Sequence, residues 1–369
     1  MRVGLVCPYS LTLPGGVQGQ VLGLAAALRS LGVEARVLGP CDGPQPDAAV
    51  TPLGESVPMA ANGSMAAIAP DPASTLRTIR ALRDEAFDVV HLHEPLVPGP
   101  ALTSLLFSDS PLVGTFHRSG RSSWYRRAAP LARWVANHLD VRAAVSEEAR
   151  RTAEEALGGS YEVVFNGIDF DAYRRAEPWP ARGPTILFVG RHEPRKGLGV
   201  LLEAMVADEV VGLGPTVRLW VAGAGPESDR LRAATSGDPR IEWLGSIGEE
   251  EKRRRMRAAD VFCAPSLHGE SFGVVLLEGL AGEAVVVASD LPGYRNVVRG
   301  GRDAILVPPG EPKALASALA AALSGRADAQ ELAAAGRSRA EEFSMTHLAE
   351  RYMQIYDRLV VPVRAHRSR

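Results

Sequence analysis

Cysteine is scarce: the chain has three in 369 residues, at positions 7, 41 and 263. The number is odd and no CxxC or Cys/His spacing joins them, which excludes a disulfide framework and a cysteine-based metal site. Reduced, buried thiols are the reading that remains. An excess of one charge is missing as well. Lys+Arg number 41 against 43 Asp+Glu, a formal net charge of −2, so no global pull toward nucleic acid is expected. No apolar run approaches the ~20 residues of a membrane-spanning helix. Met1–Cys7, ahead of Pro8, is too short for a secretory h-region. The protein is therefore expected in the cytoplasm.

What is present is alternation. Short β-branched runs give way to longer amphipathic segments throughout, the pattern of βα units around parallel sheets. The first half offers strands at Val3–Cys7, Glu34–Leu38, Val89–His91, Leu112–Thr115 and Val141–Val145. Between the first two, Val21, Leu24, Ala25, Leu28 and Leu31 keep a helical period. A second series runs through Thr185–Val189, Val217–Val221, Ile241–Leu244, Val261–Ala264, Ala284–Ala288 and Ile305–Val307. A chain this long exceeds a single core. Pro178, Pro180, Gly183 and Pro184 make residues 172–184 a hinge. The expectation is an α/β protein of two doubly wound domains, 1–171 and 185–344, facing a cleft, with the helix of 345–369 returning to the first.

Four clusters carry chemistry. Glu270 and Glu278 stand eight residues apart, bracketed by Gly269 and Gly273 and followed by the apolar run Val274–Leu280. If Gly273 opens a helix, its first amides face a cleft, as anion sites require. Glu278 then sits on an apolar helix, where a carboxylate needs a hydrogen-bonding partner. Arg191 and Lys196 flank a turn at the carboxyl end of the strand Thr185–Val189, where a diphosphate would need paired cations. Lys196 is followed by Gly197-Leu198, so this is not a Walker motif. Pro14-Gly-Gly-Val-Gln18 precedes a helix, and its glycines let backbone amides approach a phosphate. Thr115-Phe-His117 closes the strand Leu112–Thr115 at the edge where an α/β crevice opens, and a packed histidine is the alternative reading of His117.

Local charge is uneven. From Arg118 to Arg142 there are six arginines and one acid, Asp140, with Trp124, Tyr125 and Trp134 among them. On a helical wheel Trp124, Ala128, Leu131, Val135 and Leu139 share a face, and Pro130 would kink or divide that helix. Arg77, Arg80 and Arg83 recur every third residue beside Leu76, Ile79 and Leu82. Such segments suit an anionic membrane surface; a plain solvated helix face is the alternative.

With these clusters in order, the sequence resembles the retaining GT-B glycosyltransferases that share an E-x7-E motif. It is most similar to actinobacterial phosphatidylinositol mannosyltransferases that use GDP-mannose. The resemblance runs from Met1 to about Tyr356 and includes Tyr9-Ser10, Asn62-Gly-Ser64, His91-Leu-His-Glu-Pro95, Thr115-Phe-His117, Glu193-Pro-Arg-Lys-Gly197 and Gly269-Glu-Ser-Phe-Gly273. It implies that Gly16, Arg191 and Lys196 hold the donor diphosphate, that Glu270 binds the transferred sugar and that Glu278 binds the ribose. Ile247 would lie in the guanine-contacting loop, and Ser271, Phe272 and Gly273 would complete the donor site. His117 would sit where sugar and acceptor meet, forming the catalytic set with Arg191, Lys196 and Glu270. Tyr9, Gln18, Asn62 and Ser64 would line the acceptor pocket. Ala67 stands where close relatives carry an Arg for the lipid phosphate, and Arg118 replaces a small hydroxylated residue after His117, so Arg118 is the cation expected to compensate.

The partners so implied are GDP-mannose, phosphatidylinositol or another anionic lipid acceptor, and the inner face of the cell membrane, with no nucleic acid. No tightly bound cofactor and no protein metal site are expected, and Mg2+ is left open. Other readings are a related enzyme with another nucleotide sugar and a different lipid or small-molecule acceptor, and a non-catalytic sugar-nucleotide-binding module. Gly223-Ala-Gly225 prompts a dehydrogenase, but the third glycine of G-x-G-x-x-G is Ser228 here.

Overall fold

The computed structural model describes residues 1–13, 15–61, 64–118, 129–324 and 327–367. Pro14, Asn62, Gly63 and residues 119–128, with Trp124, Tyr125 and Ala128, lie outside the described residues, as does the side chain of Ser64. The chain forms two compact units, one of Met1–Gly167 with Met345–Arg369 and the other of Ile168–Ser344.

The first unit is built on a seven-stranded parallel sheet in the order β3-β2-β1-β6-β7-β8-β9. Its strands are β1 (Arg2–Val6), β2 (Glu34–Gly39), β3 (Val50–Pro52), β6 (Val89–His93), β7 (Leu112–Phe116), β8 (Val141–Ala144) and β9 (Glu162–Val163). β4 (Val57–Ala61) and β5 (Ser64–Ile68) form a separate antiparallel hairpin. The second unit holds a six-stranded sheet in the order β12-β11-β10-β13-β14-β15. These are β10 (Thr185–Val189), β11 (Arg218–Ala222), β12 (Ile241–Gly245), β13 (Val261–Ala264), β14 (Val285–Ser289) and β15 (Ile305–Val307). Strands buried on both faces read as continuous apolar runs, and the sequence places them to within a residue or two at most ends. β3, β4, β5 and β9 escape it: β3 and β9 have only three and two residues, β4 carries Pro58, and β5 has a single β-branched residue, Ile68, at its end. In each sheet the strand order reverses beside the first strand, at β1/β6 and at β10/β13. Ligands in such folds bind outside the carboxyl ends at that reversal.

The units part at Gly167/Ile168 rather than within 172–184. Gln20, buried on the helix Gly16–Ser30, holds Gly167 by two hydrogen bonds of 2.8 and 2.9 Å and so ties it to the first unit. Asp169 caps the helix Phe170–Arg175, which packs on the helices Glu249–Ala258 and Val274–Ala281 of the second unit. The proline-rich stretch beyond is anchored there too. The amide of Trp179 donates to the Arg254 carbonyl at 3.0 Å, and the Arg255 guanidinium lies 4.5 Å from the Trp179 ring and 4.7 Å from the Trp220 ring.

The helix Met345–Arg367 belongs to the first unit, where Leu348, Ala349, Tyr352, Ile355 and Tyr356 enter the core against the helix Gly16–Ser30. Each large apolar side chain buried there contributes roughly 1.5–3 kcal/mol. The described helix at Ala129–Ala136 has Pro130 in its first turn. Its buried side is Ala132, Val135 and Ala136, with Leu139 just beyond, while Leu131 and Trp134 face solvent. The expected apolar face therefore turns, because Ala132 and Ala136 are the residues small enough to lie against the sheet. Among the described residues no helix is long and apolar enough to cross a membrane.

Candidate functional site

In the second unit the turn after β10 is fixed by Gly197. It has φ +69°, and a Cβ there would come 1.9 Å from the Pro265 carbonyl oxygen. No other residue fits both demands. That contact lays the turn Pro194–Lys196 against the loop after β13, where Leu267 N–H donates to the Arg195 carbonyl at 2.7 Å. Lys196 Nζ thereby reaches Glu270 Oε1 at 2.6 Å, with Arg195 at 3.3 Å and Ser266 Oγ at 3.1 Å on the same oxygen. Tyr294 donates its hydroxyl to Ser266 at 2.9 Å from beneath. Arg191 pairs with Glu193 at 2.7 Å and is 60% exposed, so its guanidinium faces outward from the turn.

Gly273 has φ +94° and precedes the helix Val274–Ala281, as the sequence suggests. Glu278, in its second turn, finds the partner it needs in Lys252, 2.9 Å away on the helix Glu249–Ala258. Burial would lower Lys252, but the Glu278 and Glu249 carboxylates hold it above its usual value. Burial and the same two carboxylates raise the phenol of Tyr173. Lys252 and Tyr173 join Glu278 in this cluster, and sequence reasoning missed both. The only signal was an apolar helix with one acid on it. Phe272 differs from expectation: its side chain is 1% exposed and packs edge-on to Phe343 at 5.9 Å, so it anchors the loop to the core. Ser271 and Ile247 are half-buried in their loops. Gly223 and Gly225 press on the backbone of Gly190 and His192, where a Cβ would come within 1.9 and 2.6 Å. They are packing glycines, and the dinucleotide reading loses its motif.

In the first unit the period-two alternation of β6 and β7 places His91 and His93 on one face with Thr115 and His117. The rings of His91 and His93 stack at 4.4 Å, and those of His93 and His117 at 5.1 Å. His91 has both nitrogens engaged, Nδ1 with the Tyr356 hydroxyl and Nε2 with Thr115 Oγ1, each at 2.7 Å. Thr115 Oγ1 also meets the Tyr352 hydroxyl at 2.8 Å. His93 Nδ1 lies 2.9 Å from His117 Nε2. Burial lowers all three histidines, His91 to about 3 and His117 to about 4, so the array is neutral at pH 7.

Glu94 follows with φ +48°, buried, its Oε1 accepting the His117 amide at 2.7 Å. Burial raises its carboxyl, opposed by that amide and by the Arg118 guanidinium. Tyr9 is raised by burial and by the Glu94 charge, and lowered by Arg118, so these residues form one electrostatic neighbourhood. Tyr9 bridges to Ile68 of the hairpin, and Gln18 Nε2 donates to the Ser10 carbonyl at 3.3 Å. A Cβ on Gly16 would meet nothing within 4 Å. Among the described residues, no group of three or more His, Cys, Asp or Glu is placed to hold a metal.

Two family models cover the chain: Glycosyltransferase Family 4 over residues 14–172 and Glycosyl transferases group 1 over 183–325. A phosphatidyl-myo-inositol mannosyltransferase of Mycobacterium leprae is 39% identical over 97% of this chain and 96% of its own. Its namesake from Mycobacterium tuberculosis is 38% identical over 97% of each. Among solved structures, Anabaena HepE in complex with UDP and glucose superposes with a TM-score of 0.73 at 18% identity, over 97% of this chain and 100% of that one. The two parallel-sheet units are those of the GT-B fold.

Proposed function

The chain belongs to the glycosyltransferase family that contains the phosphatidyl-myo-inositol mannosyltransferases of actinobacteria, and from that membership we propose that it transfers mannose from GDP-mannose to the inositol ring of phosphatidylinositol, with retention at the anomeric carbon. What supports the reading most is identity spread over nearly the whole of both chains, acceptor unit included.

The donor half belongs to the second unit. Arg191 and Lys196 take the diphosphate, and the first amides of the helix after Gly273 add positive potential where negative charge develops. Lys196 has three N–H donors, so it can hold Glu270 and a phosphate oxygen together. Glu270, positioned by Lys196 and Ser266, accepts from hydroxyls of the transferred sugar. Glu278, fixed by Lys252, accepts from the ribose. In the first unit, packing does not require a glycine at 16, and its absence of a side chain leaves room for a phosphate. No residue is assigned as a covalent nucleophile. The C1–phosphate bond breaks toward the cations, the acceptor oxygen bonds C1 on the same face, and its proton passes to the departing phosphate.

The acceptor half belongs to the first unit: Tyr9, Gln18, Asn62 and Ser64 for the ring, Arg118 for the lipid phosphate. The enzyme works as a peripheral protein on the cytoplasmic side of an anionic membrane. Support for this lies in exposed Arg77, Arg80 and Arg83 beside exposed Leu76, and in Val57, Met59 and Met65 exposed on the hairpin. Vesicle flotation should show binding to anionic lipid that fades with salt, and equal binding to neutral vesicles removes the membrane assignment.

The deciding assay is turnover with GDP-mannose against UDP-linked sugars, with and without phosphatidylinositol. Mannosyl transfer to the lipid from the GDP donor is expected. Efficient transfer to another acceptor with none to phosphatidylinositol overturns the acceptor and leaves the glycosyltransferase.

A further inference from the structure

His93 is 2% exposed, and its Nε2 is buried without a hydrogen-bond partner among the described residues. Its Nδ1 lies 2.9 Å from Nε2 of His117, a ring that is only half-buried. A neutral imidazole carries one N–H and one lone pair, so one ring must donate to the other. Two arrangements satisfy the contact. If His117 donates, His93 must carry its own proton on Nε2, stranding a buried N–H. If His93 donates from Nδ1, the stranded atom is a bare lone pair. Buried N–H groups without partners are rarer in folded proteins than under-satisfied acceptors.

We propose that His93 is a positioning residue that donates from Nδ1 and thereby fixes His117 as its Nδ1–H tautomer. His117 then carries its N–H on Nδ1, and that nitrogen has no lone pair to receive a proton. The proposal rests on the glycosyltransferase reading and deepens it: His117 donates a hydrogen bond to a substrate oxygen, while the reacting hydroxyl gives its proton to the leaving phosphate. The surrounding groups keep the pair of rings neutral. His91 stacks on His93 from one side and has both nitrogens committed to Tyr356 and Thr115. Glu94 takes the His117 amide rather than the ring, so it does not draw a second proton onto the imidazole.

The test separates tautomer from turnover. In the intact protein with 15N-labelled histidine, only eight imidazoles need assignment. His117 should show Nδ1 protonated and Nε2 bare at pH 7.5. His93→Asn keeps a donor where Nδ1 was, so His117 should hold that pattern and kcat should stay within about threefold. His93→Phe fills the space without a donor, and a hydrogen bond of ordinary strength predicts a roughly tenfold lower kcat with donor affinity unchanged. His117 should then exchange between tautomers. An Nε2–H signal for His117 in the wild type overturns the proposal, as does equal loss of kcat in the two variants. Absence of any glycosyl transfer by the wild type would instead remove the functional reading, with the spectrum still deciding the tautomer.

Discussion

The two units hold their candidate site residues by opposite means. In the second, charge is matched against charge: Lys196, Arg195 and Glu270 share one oxygen's surroundings, and Lys252 holds Glu278. In the first, three histidines, a threonine and two tyrosines make a buried network with no net charge. A charged cluster can exchange internal partners for an anionic ligand at little reorganisation, because the groups remain ionised throughout. A neutral network offers direction instead, since each hydrogen bond fixes the next group's donor or acceptor role. The comparison suits a diphosphate on one side and a polyol on the other.

The comparison breaks most severely at Gly197. Gly197→Ala must place a Cβ on the Pro265 carbonyl in a left-handed backbone, which costs more than about 2 kcal/mol even before the loop moves. Nucleotide affinity should vanish, while hydrogen-exchange protection of β6 and β7 stays intact. Loss of protection in both sheets would show that the glycine supports more than the turn. Lys196→Ala sharpens the same side without touching the backbone. A charge-assisted contact contributes about 1.5–3 kcal/mol, so calorimetric GDP affinity should fall roughly 10- to 100-fold. Unchanged affinity would remove Lys196 from the donor site.

How much of this could be read from the sequence differs between the units for a physical reason. The Glu270/Glu278 spacing, the strand before it and the cations of the Arg191–Lys196 turn are local, and a single glycine fixes how the two loops meet. What the sequence does not reveal is long-range pairing: Lys252 is 26 residues from Glu278, and nothing in the acidic start of its helix marks it. In the first unit His117 was visible at a strand end, but His93 was not, because its role depends on β7 lying beside β6 and on Tyr352 and Tyr356 arriving from the far end of the chain. The H-x-H alternation at 91 and 93 was the one available signal. The compact units divide upstream of 172–184, since prolines report a break in regular structure whereas cation–π stacking on Trp179 keeps that stretch within one unit.

Acid should part the two halves. Burial depresses His91 to about 3 and His117 to about 4, and depresses His93 as well, against an ordinary value near 6.5. A histidine depressed in the folded state contributes stability that is complete above its unfolded value and lost as pH falls through its folded one. Glu94 works the other way, because burial raises its carboxyl. Three groups against one leave the first unit weakening between about pH 6.5 and 3. Among the described residues of the second unit only His192 shares that direction above the carboxylate range, while Asp238 and Asp290, lowered by Arg240 and Arg295, act below it. Hydrogen exchange corrected for intrinsic rate should show β6 and β7 losing protection at higher pH than β10 and β13. The reverse order would contradict the assignment of a neutral array.

The smallest effect tests whether the C-terminal helix does more than fill the core. Tyr352 and Tyr356 lie one helical turn apart with rings 6.0 Å from each other, and each hydroxyl reaches the face of the sheet that carries the histidines. Tyr356→Phe removes one partner of His91 Nδ1, and Tyr352→Phe removes one partner of Thr115, with the rings and their packing retained. Thr115 keeps His91 after the second change, whereas His91 Nδ1 is left buried and unpaired after the first. Leaving a buried polar atom unsatisfied costs about 1–3 kcal/mol, against about 1 kcal/mol for an ordinary hydrogen bond. Tyr356→Phe should therefore lower unfolding stability more than Tyr352→Phe, and it should free His91 to change tautomer. Urea titration of both variants measures the difference. Equal losses would mean that the phenols serve packing alone, and that the orientation of the histidines is set within the sheet.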